Sequence, residues 1–135
     1  MGNRSNAEKT KITERGENGS LRYVAMGMQG WRMDMEDAHM AHTDLPDGLS
    51  LFGVFDGHAG KFAKNFFFLY PLNVVTGSEV AIWVAANFRN ELVKLRSFKN
   101  KQYKLALEQC FVRLDEIMRS EAGQDQLKAI LVQER

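Results

Sequence analysis

The sequence predicts an α+β domain in which antiparallel strands come first and helices follow. Residues 21–28 alternate along the chain in the way that is typical of a strand. A proline- and glycine-containing turn at 44–48 joins two further runs of strand-forming residues. After Gly60 the spacing of apolar residues changes to the period of a helix. These three observations favour a small antiparallel sheet packed against helices.

The first 20 residues differ from the rest of the chain in texture. They are polar, charged and nearly free of large apolar groups, so they cannot bury enough surface to offset the entropy lost on ordering. We therefore expect a mobile polar leader over 1–20 and a domain over 21–135. The first strand is predicted at about 21–28, where Gly27 and Gly30 end it in a bend.

A β-hairpin is the clearest local signal. The run 36–43 leads into Asp44-Leu45-Pro46-Asp47-Gly48, where proline presets a turn and glycine supplies a positive φ. The chain returns through Ser50-Leu51-Phe52-Gly53-Val54-Phe55, which is apolar on both faces. This second strand of the hairpin is therefore predicted to be buried.

Helices account for most of the remaining sequence. The pattern predicts one helix at 61–70 that stops at Pro71, and a second from Ser78 to about Leu95. A third has six apolar side chains at helical spacing on one face: Leu107, Cys110, Phe111, Leu114, Ile117 and Met118. The tail at 126–133 adds a further helical turn or two.

The ratio of strands to helices is unusual. One small sheet of three strands has to cover the apolar faces of three or four helices and still protect its own edges. The domain therefore looks incomplete. A truncated domain, a proteolysed piece, or a chain that docks onto a second polypeptide would each explain this.

Composition excludes several classes of protein. The chain has 135 residues, 44% of them hydrophobic, and a net charge of +1, which gives no basic footprint for nucleic acid. Polar residues and a proline break 65–88 before it could span a membrane. The single Cys110 allows no internal disulfide, so a reducing compartment, the cytoplasm or nucleus, is expected. Gly2 matches an N-myristoylation signal imperfectly, because Asn6 stands where serine or threonine is usual.

Two carboxylates meet at the open end of the predicted hairpin. If Asp44 faces Leu49 across the loop, the antiparallel register also places Asp37 opposite Asp56, with Cβ atoms about 5 Å apart. Two carboxylates at such a short distance must share a proton or bind a cation. Oxygen ligands without a nearby cysteine favour Mg²⁺ or Mn²⁺. Glu36 comes next, but strand alternation turns it to the other face unless a bulge intervenes, so two ligands are better supported than three.

Three neighbouring residues add to this chemistry. Gly57 allows close approach of the backbone, so its carbonyl oxygen is a further candidate ligand. The imidazole of His58 is a side chain that can donate or accept a proton, and Arg32 has the planar cation that binds phosphate. The combination indicates hydrolysis of a phosphate ester. The alternatives are a strand-to-helix turn capped by Asp56, a structural His58 and a solvated Arg32.

The sequence closely resembles the metal-dependent protein serine/threonine phosphatases of the 2C type. The resemblance is dense from about 20 to 64 and weaker at 111–119. Its main blocks are Met28-Gln29-Gly30-Trp31-Arg32, Met35-Glu36-Asp37-Ala38-His39 and Val54-Phe55-Asp56-Gly57-His58-Ala59-Gly60. It implies a sandwich of two antiparallel sheets flanked by helix pairs, of which this chain covers about the first half.

The resemblance also implies a set of metal ligands. Asp56 would bridge two Mn²⁺ or Mg²⁺ ions, Glu36 and the Gly57 carbonyl would hold one of them, and Asp37 would contact water bound to the metal. The family has two more aspartates in its later half. After Arg119 this sequence has no similar segment.

The same resemblance implies the reaction and its substrate. Arg32 would bind the phosphate of a phosphorylated protein, and His58 would protonate the leaving oxygen of serine or threonine. The alternative is an interaction module, a catalytically incomplete phosphatase-like chain that binds a partner chain or a phosphorylated segment. A second chain that supplies the missing half is a further expected partner.

The remaining polar clusters are interpreted as structural. His39 and His42 have no metal-ligand partner in the sequence pattern and are expected in core or surface positions. A basic run lies between two of the predicted helices and is interpreted as a solvated face: Lys94, Arg96, Lys99, Lys101 and Lys104.

Overall fold

The computed structural model describes residues 3–58 and 77–133. Within them the chain forms four strands and then four helices. The strands are β1 (Asn3–Glu17), β2 (Arg22–Arg32), β3 (Asp37–His42) and β4 (Leu51–Asp56). The helices are α1 (Ser78–Lys94), α2 (Arg96–Lys99), α3 (Tyr103–Arg119) and α4 (Glu121–Gln133). The predicted helix at 61–70 lies outside the described residues.

Strands β1 and β2 form an antiparallel hairpin, which corrects the mobile leader expected over 1–20. The turn is closed by Asn18, whose Oδ1 accepts the backbone N–H groups of Ser20 and Leu21 at 2.9 Å each. The ring of Tyr23 covers Gly16 across the pair. Polar composition misled the prediction because a strand pairs through backbone hydrogen bonds, which need no apolar side chains. The domain division at residue 20 stays a prediction.

Strands β3 and β4 form the predicted hairpin in the predicted register. The ladder runs from Asp37 opposite Asp56 to His42 opposite Leu51. Beyond it a short 3₁₀ turn at Pro46–Gly48 reverses the chain, with Asp47 and Gly48 at φ of 60° and 70°. Glycine adopts this left-handed conformation readily, and aspartate adopts it more often than most other residues. The turn prediction is therefore confirmed.

Burial of β4 differs from the prediction. Leu51 and Phe55 pack against the core, whereas Phe52 and Val54 are 48% and 75% exposed. Successive side chains of a strand point to opposite faces, and the described helices cover only one face of this hairpin. β4 is therefore a half-buried strand and not the fully buried one that its apolar sequence predicted.

The three predicted helices that fall within the described residues are present. On one of them, α3, the buried face is narrower than predicted. The second predicted helix is α1, the third lies within α3, and the tail is the longer helix α4. On α3 the side chains of Cys110 and Leu114 are buried as expected. Phe111 is 54% exposed and Leu107 is 38% exposed, because α3 meets α1 along a narrower stripe than the six-residue pattern implied.

Helix α1 forms the centre of the core. Its Trp83, Phe88 and Leu92 are each 2% exposed. Phe88 lies 5.8 Å from the ring of Phe55 on β4 and 5.0 Å from that of Phe111 on α3. Each such side chain contributes roughly 1.5–3 kcal/mol on burial. Packing of α1 against β3 and β4 therefore holds the second hairpin in place.

The single cysteine belongs to this core. The Cys110 thiol donates a weak hydrogen bond to the Phe88 carbonyl oxygen at 3.6 Å. Burial raises the pKa of the Cys110 thiol to about 11, so the reactive thiolate form is scarce at neutral pH. None of the helices in the described part of the chain is long and apolar enough to cross a membrane.

Candidate metal and phosphate site

The two aspartates of the second hairpin face each other, as the register predicted. Asp37 is the direct partner of Asp56, and one step further the Gly57 N–H donates to the Glu36 carbonyl oxygen at 3.0 Å. That bond makes Asp37 and Asp56 a non-hydrogen-bonded pair, the type whose side chains approach most closely, with Cα atoms about 4.5 Å apart. Both carboxylates therefore project from the same face of the hairpin.

The surroundings of this pair fit a hard divalent cation. Asp56 is 66% exposed and contacts the Nδ1 atom of His58 at 3.2 Å. Asp37 is exposed and has no ion-pair partner among the described residues. The two facing carboxylates supply oxygen ligands, and few positively charged side chains nearby neutralise them. Such ligands suit Mg²⁺ or Mn²⁺.

Glu36 occupies a different position. Its side chain is only 17% exposed, and its Oε2 atom accepts a hydrogen bond from Arg32 Nη2 at 3.1 Å. Within residues 3–58 and 77–133 no three histidine, cysteine, aspartate or glutamate side chains come together as metal ligands. The structure thus brings Asp37 and Asp56 together and leaves Glu36 paired with Arg32, because Glu36 precedes the strand and does not share their face.

Gly57 lies where the end of the hairpin meets the start of α1. A Cβ atom at this residue would be 2.6 Å from the Glu36 carbonyl oxygen and 2.5 Å from the Gly77 carbonyl oxygen. Both contacts are with backbone atoms, which cannot rotate away. Residue 57 must therefore be glycine for the chain to pass between β3 and α1 at this distance.

Arg32 is held at the end of β2 beside the carboxylates. It is 48% exposed and pairs with Glu36 through one guanidinium nitrogen. The side-chain amide of Gln29 donates to the carbonyl oxygens of Arg32 and Met33 at 3.1 and 2.7 Å, which stabilises the bend after the strand. The half-exposed guanidinium therefore faces solvent while Glu36 restrains it.

His58, the sixth of the predicted site residues, also lies at this end of the hairpin. It is 63% exposed, and its Nδ1 atom faces Asp56 Oδ1. When Nδ1 carries the proton it donates to the carboxylate, and Nε2 is then the nitrogen that can exchange a proton with a ligand. The contact with Asp56 thus sets the orientation of the imidazole ring.

A second polar group next to the site was missed by sequence reasoning. Glu14 on β1 accepts a hydrogen bond from Tyr23 Oη at 2.6 Å and contacts His39 Nε2 at 3.0 Å. These hydrogen bonds, first from Tyr23 and then from His39, hold the pKa of Glu14 below its ordinary value. His39 therefore has a hydrogen-bond partner in Glu14. The sequence did not predict this contact, because a mobile leader was expected over residues 1–20.

An open cleft of about 510 Å³ lies beside this group. Asp37 and His42 from β3 line one side, and Ile82 and Ala85 from α1 line another. Glu14 closes it from the first hairpin. The cleft connects the Asp37 side of the carboxylate pair to the surface of α1.

Comparison with known proteins places these features in a family. Residues 21–130 match the family model described as protein phosphatase 2C. The chain belongs to the protein phosphatase 2C family. The match spans both strands that carry Asp37 and Asp56 and extends through α3 into α4, so the resemblance and the α+β fold class are confirmed.

Several curated members of the protein phosphatase 2C family are similar over most of this chain. It is 38% identical over 123 residues to probable protein phosphatase 2C 6 of Paramecium tetraurelia. The aligned region covers 91% of this chain and 35% of that protein. It is 34% identical over 131 residues to probable protein phosphatase 2C 21 of Arabidopsis thaliana. That aligned region covers 96% of this chain and 32% of the Arabidopsis protein. The chain thus spans about a third of the length of these relatives.

Proposed function

We propose that the chain is the N-terminal part of a catalytic domain that removes phosphate from serine and threonine residues of proteins. The observation that carries the proposal is the direct pairing of Asp37 with Asp56 at the end of the hairpin where Arg32 and His58 also lie. Membership of the protein phosphatase 2C family supports it. The phosphorylated protein is the proposed substrate.

The proposed metal ligands are the Asp37 and Asp56 carboxylates and the Gly57 carbonyl oxygen, with Glu36 as a fourth. Mn²⁺ or Mg²⁺, bound as one or two ions, would activate water and offset the negative charge of the phosphoryl oxygens. Asp37 and Asp56 are already on one face. Glu36 would join them only by releasing one bond to Arg32, so a metal ion and a phosphate together would rearrange this ion pair.

Arg32 and His58 have separate proposed roles. Arg32 binds the phosphate through guanidinium nitrogens that do not contact Glu36, and Glu36 keeps the group at the edge of the site. His58 gives a proton to the leaving oxygen of serine or threonine. Asp56 orients the ring through Nδ1, so Nε2 is the atom that holds the transferred proton.

An interaction module is the second candidate function. Each hairpin exposes large apolar side chains on one of its strands, which soluble domains usually cover. They are Val24, Met26 and Met28 on β2, and Phe52 and Val54 on β4. A partner chain, or further polypeptide of the same domain, would bury such side chains. In that case the chain binds its partner or a phosphorylated segment without turnover of its own.

The proposed location is a reducing compartment, the cytoplasm or nucleus, since Cys110 is free and buried. N-myristoylation at Gly2 is a weaker proposal from the sequence. Gly2 lies outside the described residues.

Metal binding and hydrolysis by the same preparation test the two candidates. We expect Mn²⁺ to bind, detected by isothermal titration calorimetry, and to support hydrolysis of a phosphothreonine peptide. Asp56→Asn should weaken Mn²⁺ binding by about tenfold or more, because it removes the negative charge of one proposed ligand and disturbs its pairing with Asp37. The control is Asp115→Asn, which removes an exposed carboxylate that pairs with Arg119 on α3.

The outcomes separate the candidates. Mn²⁺-dependent hydrolysis that Asp56→Asn abolishes and Asp115→Asn leaves unchanged supports the phosphatase. Mn²⁺ binding without hydrolysis favours the interaction module. Equal Mn²⁺ affinity in wild type and Asp56→Asn would contradict the proposed metal site.

A further inference from the structure

A concentrated positive surface lies far from the carboxylates. Every charged side chain between residues 92 and 107 is basic. Because the whole chain has a net charge of only +1, the remainder of the chain is net acidic. We name this surface the basic corner, and it consists of Lys94 at the end of α1, Arg96 and Lys99 on α2, Lys101 in the following turn and Lys104 on α3.

The fold orients the basic corner outward. On α2 the side chains of Ser97 and Phe98 are buried, and the ring of Phe98 packs 5.6 Å from that of Tyr103. Arg96 and Lys99 lie on the opposite, exposed side of this short helix. The apolar contacts of α2 therefore fix the position of its two basic residues.

The turn after α2 adds to the basic corner. The Lys101 N–H donates to the Phe98 carbonyl oxygen at 2.9 Å, and the Gln102 N–H donates to that of Ser97 at 2.9 Å. Lys101 adopts a φ of +60°, an uncommon conformation for a lysine. The chain thus folds back tightly enough to bring the first turn of α3 beside α2.

Part of this charge is neutralised within the chain and part is not. Lys94 pairs with Glu91, and Lys101 pairs with Asp47 at 3.1 Å. Arg96, Lys99 and Lys104 are exposed and have no ion-pair partner among the residues that the structure describes. Three uncompensated cations on one corner create a field that attracts an anionic ligand.

The ion pair between Lys101 and Asp47 locates the basic corner relative to the site. Asp47 lies in the turn of the second hairpin, and Asp37 and Asp56 lie at its other end. Strands β3 and β4 have six residues each, which corresponds to about 20 Å at 3.4 Å per residue. An extended peptide covers that distance with about six residues.

We propose that the basic corner binds an acidic segment of the phosphoprotein substrate, at least about six residues from the phosphorylated residue. The role as a substrate surface rests on the proposed function, whereas binding of an acidic segment does not require catalysis. A peptide fits better than nucleic acid, because the net acidic remainder of the chain repels a long polyanion. It also fits better than a membrane, because α2 buries its apolar side chains and offers none for insertion.

Direct binding of an unphosphorylated acidic peptide tests the proposal. The probe is a fluorescein-labelled peptide of about 12 residues with alternating Glu and Gly, long enough to cross the basic corner. Fluorescence anisotropy with the 135-residue chain should show saturable binding that weakens about tenfold between about 50 and 300 mM NaCl. The same peptide with Gln in place of Glu should not bind.

Variants assign the binding to the basic corner. Arg96→Glu/Lys99→Glu/Lys104→Glu should weaken binding of the Glu peptide by about tenfold or more, because attraction becomes repulsion at three positions. The control, Lys9→Glu/Lys11→Glu/Arg15→Glu, makes the same change of net charge at exposed residues of β1 and should have less than about a twofold effect. Circular dichroism checks the fold, and the corresponding Gln triple variant replaces the first if it fails to fold.

Several results would overturn the proposal. They are the absence of peptide binding, equal losses in the test and control variants, and tighter binding to phosphatidylserine vesicles or to single-stranded DNA than to the Glu peptide. Because the probe contains no phosphate and no metal is added, failure here leaves the phosphatase assignment untouched. Conversely, peptide binding without Mn²⁺-dependent hydrolysis would keep the acidic-segment surface and reject only its role in substrate recognition.

Discussion

Replacement of Gly57 by alanine tests the packing that supports the candidate site. The added methyl group would lie 2.5 Å from the Gly77 carbonyl oxygen and 2.6 Å from the Glu36 carbonyl oxygen. Contacts this short between a carbon and two backbone oxygens require the strand end or the start of α1 to move. Overpacking of this kind typically costs 1–3 kcal/mol, and with two immobile partners we expect about 2 kcal/mol or more.

Urea unfolding provides the measurement. With the usual dependence of about 1–3 kcal/mol per molar urea for a small protein, a loss of about 2 kcal/mol lowers the midpoint by roughly 1 M. Fluorescence reports the transition because Trp83 is 2% exposed in the core. The variant should also bind Mn²⁺ more weakly, since the shift displaces Asp56, the residue before Gly57.

The matched control is Gly19→Ala. A Cβ atom at Gly19 has no neighbour within 4 Å, so we expect a change in the free energy of unfolding below about 0.5 kcal/mol. If Gly57→Ala and Gly19→Ala unfold at the same urea concentration, the close contact between Gly57 and the two carbonyl oxygens is wrong.

Two further predictions concern the core and the first hairpin. Leu114→Ala should lower the free energy of unfolding by about 3 kcal/mol, because this side chain is 1% exposed. Leu107→Ala on the same helix, 38% exposed, should cost less than about 1 kcal/mol in the same urea titration, and equal costs would contradict the burial on α3. Glu14→Gln should destabilise the protein at neutral pH, because the hydrogen bonds from Tyr23 and His39 hold the pKa of Glu14 below its ordinary 4.5. A carboxylate of lowered pKa stabilises the fold above its unfolded pKa and loses that effect as pH falls, so thermal denaturation should show the difference between variant and wild type shrinking below pH 4.5. A difference independent of pH would refute the ionic contribution of Glu14.

The second hairpin could be predicted in detail because local chemistry specifies it. Pro46 and Gly48 define the turn, and once the loop is known the pairing of every residue along the two strands follows. The opposition of Asp37 and Asp56 was therefore predictable without knowledge of any distant part of the chain. Helices α1 and α3 were predictable for a similar reason, since the spacing of their apolar residues is a local property.

Contacts between distant segments were not predictable. The strand at 3–17 depends on hydrogen bonds to β2, and its polar sequence predicted the opposite. The link from Glu14 to His39 joins residues 25 positions apart and follows from the way the first hairpin lies against the second. Exposure of Phe52 and Val54 depends on which face of β4 the helices cover, which an apolar sequence does not reveal.

By itself the amino-acid order determined the turn, the strand register and the family-type block of Arg32, Asp37, Asp56 and His58. Tertiary structure decided which side chains are buried and which distant groups meet: Phe52 and Val54 on β4 are exposed, and Glu14 contacts His39. The physical reason is the distance along the chain over which each kind of interaction acts. Backbone conformation and side-chain period act over a few residues, whereas burial, ion pairing and close approaches such as that of Gly57 to Gly77 depend on segments brought together only by the folded core.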